Sequence, residues 1–153
     1  MDNLILRKAY IKDMEEILQL QIDVFEGEQR IPSELIPLPE EKSPLWWCAL
    51  IGNTIVGAVA AWKEDNQIHW GRFATRQNYR GLHIGTKLAR YSLEDLFSQQ
   101  IEEIYMDARD ATVKIICNMG GEIIGKPIEF YDGTVTPIVL IEKEFKKYTG
   151  NRK

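Results

Sequence analysis

The sequence predicts an α/β fold, a mixed sheet with helices on both faces. Apolar runs of strand length alternate with stretches whose apolar residues recur at helical spacing, in the order β α (α) β β β α β α β β. One run, Ile55–Trp62, is apolar nearly throughout, as in a strand buried on both faces. With 153 residues, 44% of them hydrophobic, the chain is long enough for one core, so residues 1–153 are expected to form a single domain.

The elements follow in order. Leu4–Lys8 reads as a short strand. Met14, Ile17, Leu18 and Phe25 then keep helical spacing, behind Asp13 with Glu16 three residues on, a capping-box pattern. From Gly27 to Pro44, four prolines (Pro32, Pro37, Pro39, Pro44) predict a long loop holding at most a short helix. Trp46–Ile51, the Gly52-Asn53 turn and Thr54–Trp62 form a hairpin, and after Glu64–Gln67 a third strand runs over Ile68–Thr75. Leu88, Tyr91, Leu93 and Leu96 mark a helix to about Ser98, and Ile104–Met106 a strand. Val113, Ile116 and Cys117 mark another helix, ended by Gly120-Gly121. Glu122–Gly125 and Val135–Glu142 close the chain as strands.

Composition excludes several classes. Two cysteines, Cys48 and Cys117, make neither a disulfide framework nor a four-thiolate zinc site, and no metal site is expected. Both sit in apolar patterns and read as core. No run of about 18 apolar residues exists to span a membrane, and MDNLILRKAY lacks a signal-peptide pattern, so the expectation is a cytoplasmic protein with no membrane partner. Lys+Arg 19 against Asp+Glu 23 argues against a nucleic-acid partner. The charges are nonetheless clustered: Arg72, Arg76, Arg80, Lys87 and Arg90 share one stretch without an acid between them. It is either a local anion-attracting field or a solvated basic face.

The stretch from Phe73 to Leu88, FATRQNYRGLHIGTKL, carries the most chemistry. A strand ends near Thr75, a turn holds Tyr79-Arg80-Gly81, and a helix opens near His83–Gly85. Glycines there let an anionic ligand reach the free N–H groups of a first helical turn, although many α/β turns look alike and bind nothing. No GxGxxG follows the first strand. Gly120–Lys126, GGEIIGK, has P-loop spacing, but Pro127 replaces the magnesium-binding hydroxyl and Ile123-Ile124 suit a strand better.

FATRQNYRGLHIG resembles the acyl-CoA-binding signature of the GNAT (Gcn5-related N-acetyltransferase) superfamily, Q/R-x-x-G-x-G/A behind a strand reading hydrophobic-Ala-Val. Arg80 fills its first position, Gly85 its last, Ala74 the strand alanine, and Tyr79-Arg80-Gly81 a common lead-in. The element order matches the family along nearly the whole chain, and Phe25–Leu35 (FEGEQRIPSEL) resembles a segment of bacterial small-molecule members. The resemblance implies a central, mostly antiparallel sheet flanked by helices. Two positions depart from the pattern. His83 stands where the family prefers glycine. Aligned on Gly120, the family's Asn-x-x-Ala-x-x-Leu-Tyr falls on Arg109, Thr112, Ile115 and Ile116, so the tyrosine often used as general acid is missing.

What the resemblance implies is transfer of an acetyl group from acetyl-CoA, as cosubstrate, to a primary amine of a small molecule or peptide by direct attack. Ala74, Thr75, Arg76, Arg80, Gly81, Leu82, His83, Ile84, Gly85 and Thr86 would hold the cofactor, with Arg76, Arg80 and Lys87 serving its phosphates. His69 stands on the strand where some members place a catalytic glutamate; a histidine's ordinary pKa, about 6.5, suits a base, and a packed strand histidine is the alternative. Glu28 and Glu26 are further candidates for the base. Tyr131 replaces the missing acid if Phe130–Gly133 turns toward the cleft. Of Trp46 and Trp47, on opposite faces of one strand, one is expected in the core and the other against the acceptor. Transfer of longer acyl chains from CoA or an acyl carrier, a binding module without turnover, and a homodimer all remain open.

Overall fold

The computed structural model describes residues 3–81 and 83–150. Eight strands form one sheet in the order β1-β2-β3-β4-β5-β8-β6, with β7 also paired to β8. They are β1 (Leu4–Lys8), β2 (Leu45–Ile51), β3 (Thr54–Glu64), β4 (Gln67–Thr75), β5 (Glu103–Ala108), β6 (Glu122–Ile123), β7 (Ile128–Glu129) and β8 (Thr134–Ile141). Four α-helices accompany them: α1 (Met14–Gln21), α2 (Ile84–Phe97), α3 (Asp110–Cys117) and α4 (Glu142–Thr149). All pairings are antiparallel except β4 with β5. The mixed, mostly antiparallel sheet flanked by helices is therefore as expected.

That one parallel contact matters most. Only Ile68↔Ile104 and His69↔Tyr105 are in register, after which β4 and β5 splay apart. The edge of β4 facing β5 is left without a strand partner from about Trp70 onward.

Alternation also breaks on β4. Ala60 pairs with Gly71 but Ala58 with Ala74, so Arg72 and Phe73 oppose Val59 alone, and Arg72 takes a left-handed φ of 55°. Sequence alternation would set His69 with Phe73 and Trp70 with Ala74. The bulge instead brings Trp70 and Phe73 together, ring centroids 5.1 Å apart, in the larger core, while Ala74 joins the smaller one.

The two cores lie on opposite faces of β3, whose residues feed both. The larger unites Val59, Ala61 and Trp70 with Leu88 and Leu93 of α2, Ile116 of α3 and Phe145 of α4. The smaller unites Cys48, Ile55 and Ala58 with Ile17 and Leu20 of α1 and with Phe25, Ile31 and Ile36. Removing these apolar surfaces from water is worth roughly 25 cal/mol per Å². Trp47 is in the larger core, its indole N–H donating to Asp95 at 2.8 Å.

Three local expectations need correction. Asp13 and Glu16 do not form a capping box on one helix. A 3-10 turn, Ile11–Asp13, precedes α1, and the Asp13 carboxylate accepts the Tyr10 N–H (2.6 Å) and the Arg7 guanidinium (2.8 Å). Glu16 instead accepts the Ile55 N–H of β3 at 2.9 Å. The strand expected over Glu122–Gly125 is only two residues long, because the ladder gives way to a second short hairpin, β7 against β8. The last strand, expected to run to Glu142, ends at Ile141, and the chain turns into α4, a helix the sequence reading did not assign; Phe145 packs on Phe97 with centroids 5.1 Å apart. Gly120 ends α3 as expected, with φ of 103°, and a Cβ there would meet the Glu144 carbonyl oxygen at 2.8 Å.

Candidate functional site

The chain leaves β4 through a 3-10 turn (Gln77–Tyr79), passes Gly81 at φ 89° and His83 at φ 61°, and enters α2 at Ile84 with no side-chain cap. The Lys87 N–H bonds back to His83 O at 3.1 Å, so the amides of Ile84, Gly85 and Thr86 precede the helix's own ladder. They open on a groove of about 430 Å³. Val24 and Glu28 line it on one side, Ala74, Thr75, Arg80, Gly81 and His83–Thr86 from the β4–α2 turn, and Ala111, Thr112 and Ile115 on the other. A Cβ at Gly81 would meet nothing within 4 Å, whereas one at Gly85 would press the Phe73 ring at 3.2 Å.

At Gln29, Phe73, Arg109 and Thr112 the groove meets a smaller chamber of about 100 Å³, set in the splay between β4 and β5. Gly71 and Arg72 form one side, Met106 to Ala108 the other, with Phe25, Ile31 and Ile36 over it. The chamber shares Gly71, Arg72, Asp107 and Phe130 with a last hollow, of about 240 Å³, which ends at His69 and Trp62.

Eight of the ten expected cofactor residues line the groove: Ala74, Thr75, Arg80, Gly81, His83, Ile84, Gly85 and Thr86. Leu82 lies outside the described residues. Arg76 turns away. Its N–H donates to Val56 O (2.8 Å) and its guanidinium to Ile55 O (3.3 Å) and Asp23 (3.1 Å). Gln19 first, and then Arg76, hold the Asp23 carboxyl below the usual carboxylate range. The basic stretch is thus not an open positive field. Arg80 pairs with Glu28, Arg90 with Glu94, and the exposed Lys87 lies off the groove lining.

The expected catalytic residues fare differently. His69 reaches the inner hollow, its ring stacked on Trp62 (centroids 6.0 Å, planes 13° apart) and tilted against Tyr105 at 6.3 Å. Its Nε2 is buried with no hydrogen-bond partner. Glu28 is at the groove mouth, ion-paired to Arg80, rather than near the chamber. Tyr131 is exposed, edge-on to Phe130, and Phe130 is the one that turns inward. Ile116, at the missing tyrosine's position, is fully buried, and Ile115 reaches the groove instead. Trp46 walls a separate apolar hollow between β1, α1 and the 36–45 segment, not this chamber. Burial pushes the Cys48 thiol up to about 11, leaving it inert, while Cys117 is half-buried rather than core.

Sequence reasoning passed over Arg72, Asp107 and Arg109 as chamber residues. Arg72 enters the chamber because of the bulge; its carbonyl accepts Gln21 Nε2 at 2.8 Å, and its Nη2 donates to Leu35 O at 3.1 Å. Burial lowers the pKa of both guanidinium groups. The one available signal was Arg109, charged where the family motif has Asn.

A family model described as "Acetyltransferase (GNAT) family" matches residues 12–116. The chain belongs to the GNAT acetyltransferase family. It is accordingly an acyltransferase, of a family that binds acyl-CoA. No curated protein matches the chain. Among solved structures, Escherichia coli ElaA aligns with a TM-score of 0.76 at 19% identity, covering 91% of this chain and 99% of ElaA. FeeM, an N-acyl amino acid synthase from uncultured soil microbes, aligns at 0.80 and 10% identity over 97% of this chain and 96% of its own. The PaiA N-acetyltransferase of Thermoplasma acidophilum, solved with coenzyme A, aligns at 0.70 and 14% identity over 91% and 99%. At these identities the likeness is one of GNAT fold. No described helix is long and apolar enough to cross a membrane.

Proposed function

We propose that this GNAT protein transfers an acetyl group from acetyl-CoA to a primary amine that attacks the thioester directly. One observation carries the reading: a continuous path runs from an uncapped helix start, along an unpaired strand edge, to a chamber ending at a histidine. The first-turn amides of Ile84, Gly85 and Thr86 receive the diphosphate, and the dipole of a 14-residue helix favours its charge. Gly81 leaves room for it, since a Cβ there would fill open space. The free edge of β4 between Gly71 and Thr75 hydrogen-bonds the pantetheine amides.

The reacting thioester then lies where groove meets chamber, beside Phe73. A β4 N–H at that edge donates to the developing oxyanion; loss of one such donor typically lowers rate about 10²–10³-fold. His69 takes the proton of the incoming ammonium, directly or through water. The amine lone pair forms the C–N bond, the C–S bond breaks, and the thiolate leaves with the electron pair and takes up the second proton shed by the acylated nitrogen. Thiols ionise near pH 8.5, so departure does without a tyrosine at Ile116. A chamber of about 100 Å³ favours acetyl over a long acyl chain.

The test is release of the CoA thiol from acetyl-CoA over a panel of amines, repeated with octanoyl-CoA. Amine-dependent release, fastest with acetyl-CoA, is expected. Tight acetyl-CoA binding without release for any amine would make the chain a binding module, and faster octanoyl transfer would make it a long-chain acyltransferase.

A further inference from the structure

We propose that the acceptor is a small amino acid whose carboxylate is held by Arg72 and Arg109. The inference rests on the acyltransferase reading above and names the acceptor class of its chamber. Both arginines line the chamber, one from the β4 bulge, the other from the residue that precedes α3. Arg7, Arg76, Arg80 and Arg90 each have a carboxylate partner. Among the described residues, Arg30, Arg72 and Arg109 have none, and of these three the exposed Arg30 lines neither the chamber nor the hollow.

Part of their hydrogen-bonding capacity is unspent, although Arg72 Nη2 donates to the Leu35 carbonyl. Arg72 Nε and Arg109 Nη2 are buried without a partner. Arg109 lies over the Phe130 ring, 5.3 Å from its centroid, and Gly133 is so close that a Cβ there would meet Nη1 at 2.7 Å. Burial lowers the Arg109 pKa and the charges of Asp132 and Asp110 oppose that shift, but neither forms an ion pair with it. Cations withdrawn from water without a counterion are unfavourable, so the chamber favours an anion. The planar guanidinium fork, with N–H groups to spare, matches a carboxylate.

The other pole is Asp107, the sole acid among the residues lining the chamber and the His69 hollow. A zwitterion therefore fits, its carboxylate toward the arginines and its ammonium toward Asp107 and His69. The small volume selects a free amino acid over a protein N-terminus, whose amine has no carboxylate close by. The reaction balances: the ammonium gives one proton to the base, the neutral amine gains the acetyl carbon, and the departing thiolate takes the nitrogen's second proton, giving an N-acetyl amino acid and CoA.

Initial rates with acetyl-CoA decide the matter for the common L-amino acids, each paired with its carboxamide, and for spermidine. At least one amino acid should be acetylated with kcat/KM about 30-fold or more above its amide. Arg109→Gln and Arg72→Gln should each raise KM for that amino acid and erase the preference, while each variant still binds acetyl-CoA by calorimetry; Arg109→Lys should restore part of it. Folding of each variant is checked by circular dichroism. Equal use of the amide, a preference that survives both Gln variants, or acetylation of spermidine but of no amino acid overturns the assignment. A chain that binds no acetyl-CoA refutes the parent reading instead; one that binds it and leaves every amino acid unmodified refutes only this one.

Discussion

Glu28 and Arg80 face each other across the mouth of the groove, Oε1 2.7 Å from Nη1 and Oε2 3.1 Å from Nη2. Arg80 also donates through Nε (3.0 Å) and Nη2 (2.8 Å) to the carbonyl of Thr75. The signature arginine thus ties the segment after α1 to the β4–α2 turn, and it does so with a carboxylate facing the anion site.

That arrangement separates two roles for Glu28. The pair is partly exposed, so its contribution to stability is about 0–1 kcal/mol. Glu28→Gln should leave the melting temperature nearly unchanged and tighten acetyl-CoA severalfold by removing a like charge from the groove. Turnover at saturating acetyl-CoA should persist. A fall of about 10²-fold or more in kcat would instead make Glu28 the base.

His69 is the better candidate, since its ring closes the inner hollow and its Nε2 is buried without a partner. His69→Gln keeps the polarity and removes the titrating group. The rate near neutral pH should fall about 10²–10⁴-fold, with acetyl-CoA affinity unchanged and the acid limb of the pH–rate profile gone. Unchanged turnover and an unchanged limb would leave the histidine as packing for Trp62, and Asp107 would be the next residue to replace.

Stability carries its own pH signature at Asp13. The Arg7 guanidinium and the Tyr10 N–H hold this buried carboxyl below its ordinary value. A depressed carboxylate pKa stabilises the fold above the unfolded value, about 3.9, and that stabilisation is lost as pH falls through the folded value. Asp13→Asn should therefore cost about 1–3 kcal/mol near neutral pH, and the deficit should shrink below about pH 4. Urea unfolding of both proteins at about pH 7 and about pH 3 reads this; a pH-independent deficit would contradict it.

Much of the fold was legible because its signals are local. The Gly52-Asn53 hairpin, the apolar β3 and the α3-ending glycine each state their geometry in a few adjacent residues. The β4–α2 turn was legible for the same reason, and eight of the residues singled out there line one groove. The chamber was not. It exists because β4 and β5 stop pairing after His69↔Tyr105 and because a bulge turns Arg72 into the gap, both outcomes of pairing between distant segments. That Phe130 and not Tyr131 lines the chamber was not legible, because the sequence does not say which of two adjacent aromatics faces it. In α4, EKEFKKYT offers only Phe145 and Thr149 as buried residues, too few for a helical period to stand out.

The central claim is that acyl-CoA lies against the β4–α2 turn, and calorimetric titration of acetyl-CoA into the wild type and Gly81→Val tests it most directly. A Cβ at Gly81 has open space on the protein side, so the variant should stay folded despite the strain of its φ of 89°, about 1–3 kcal/mol. Its added methyl groups would occupy the room the diphosphate needs. The wild type should give a saturable heat, and the folded variant should bind about 10-fold more weakly or worse, a difference of roughly 1.4 kcal/mol or more. No heat with the wild type, or undiminished affinity in Gly81→Val, would contradict the account.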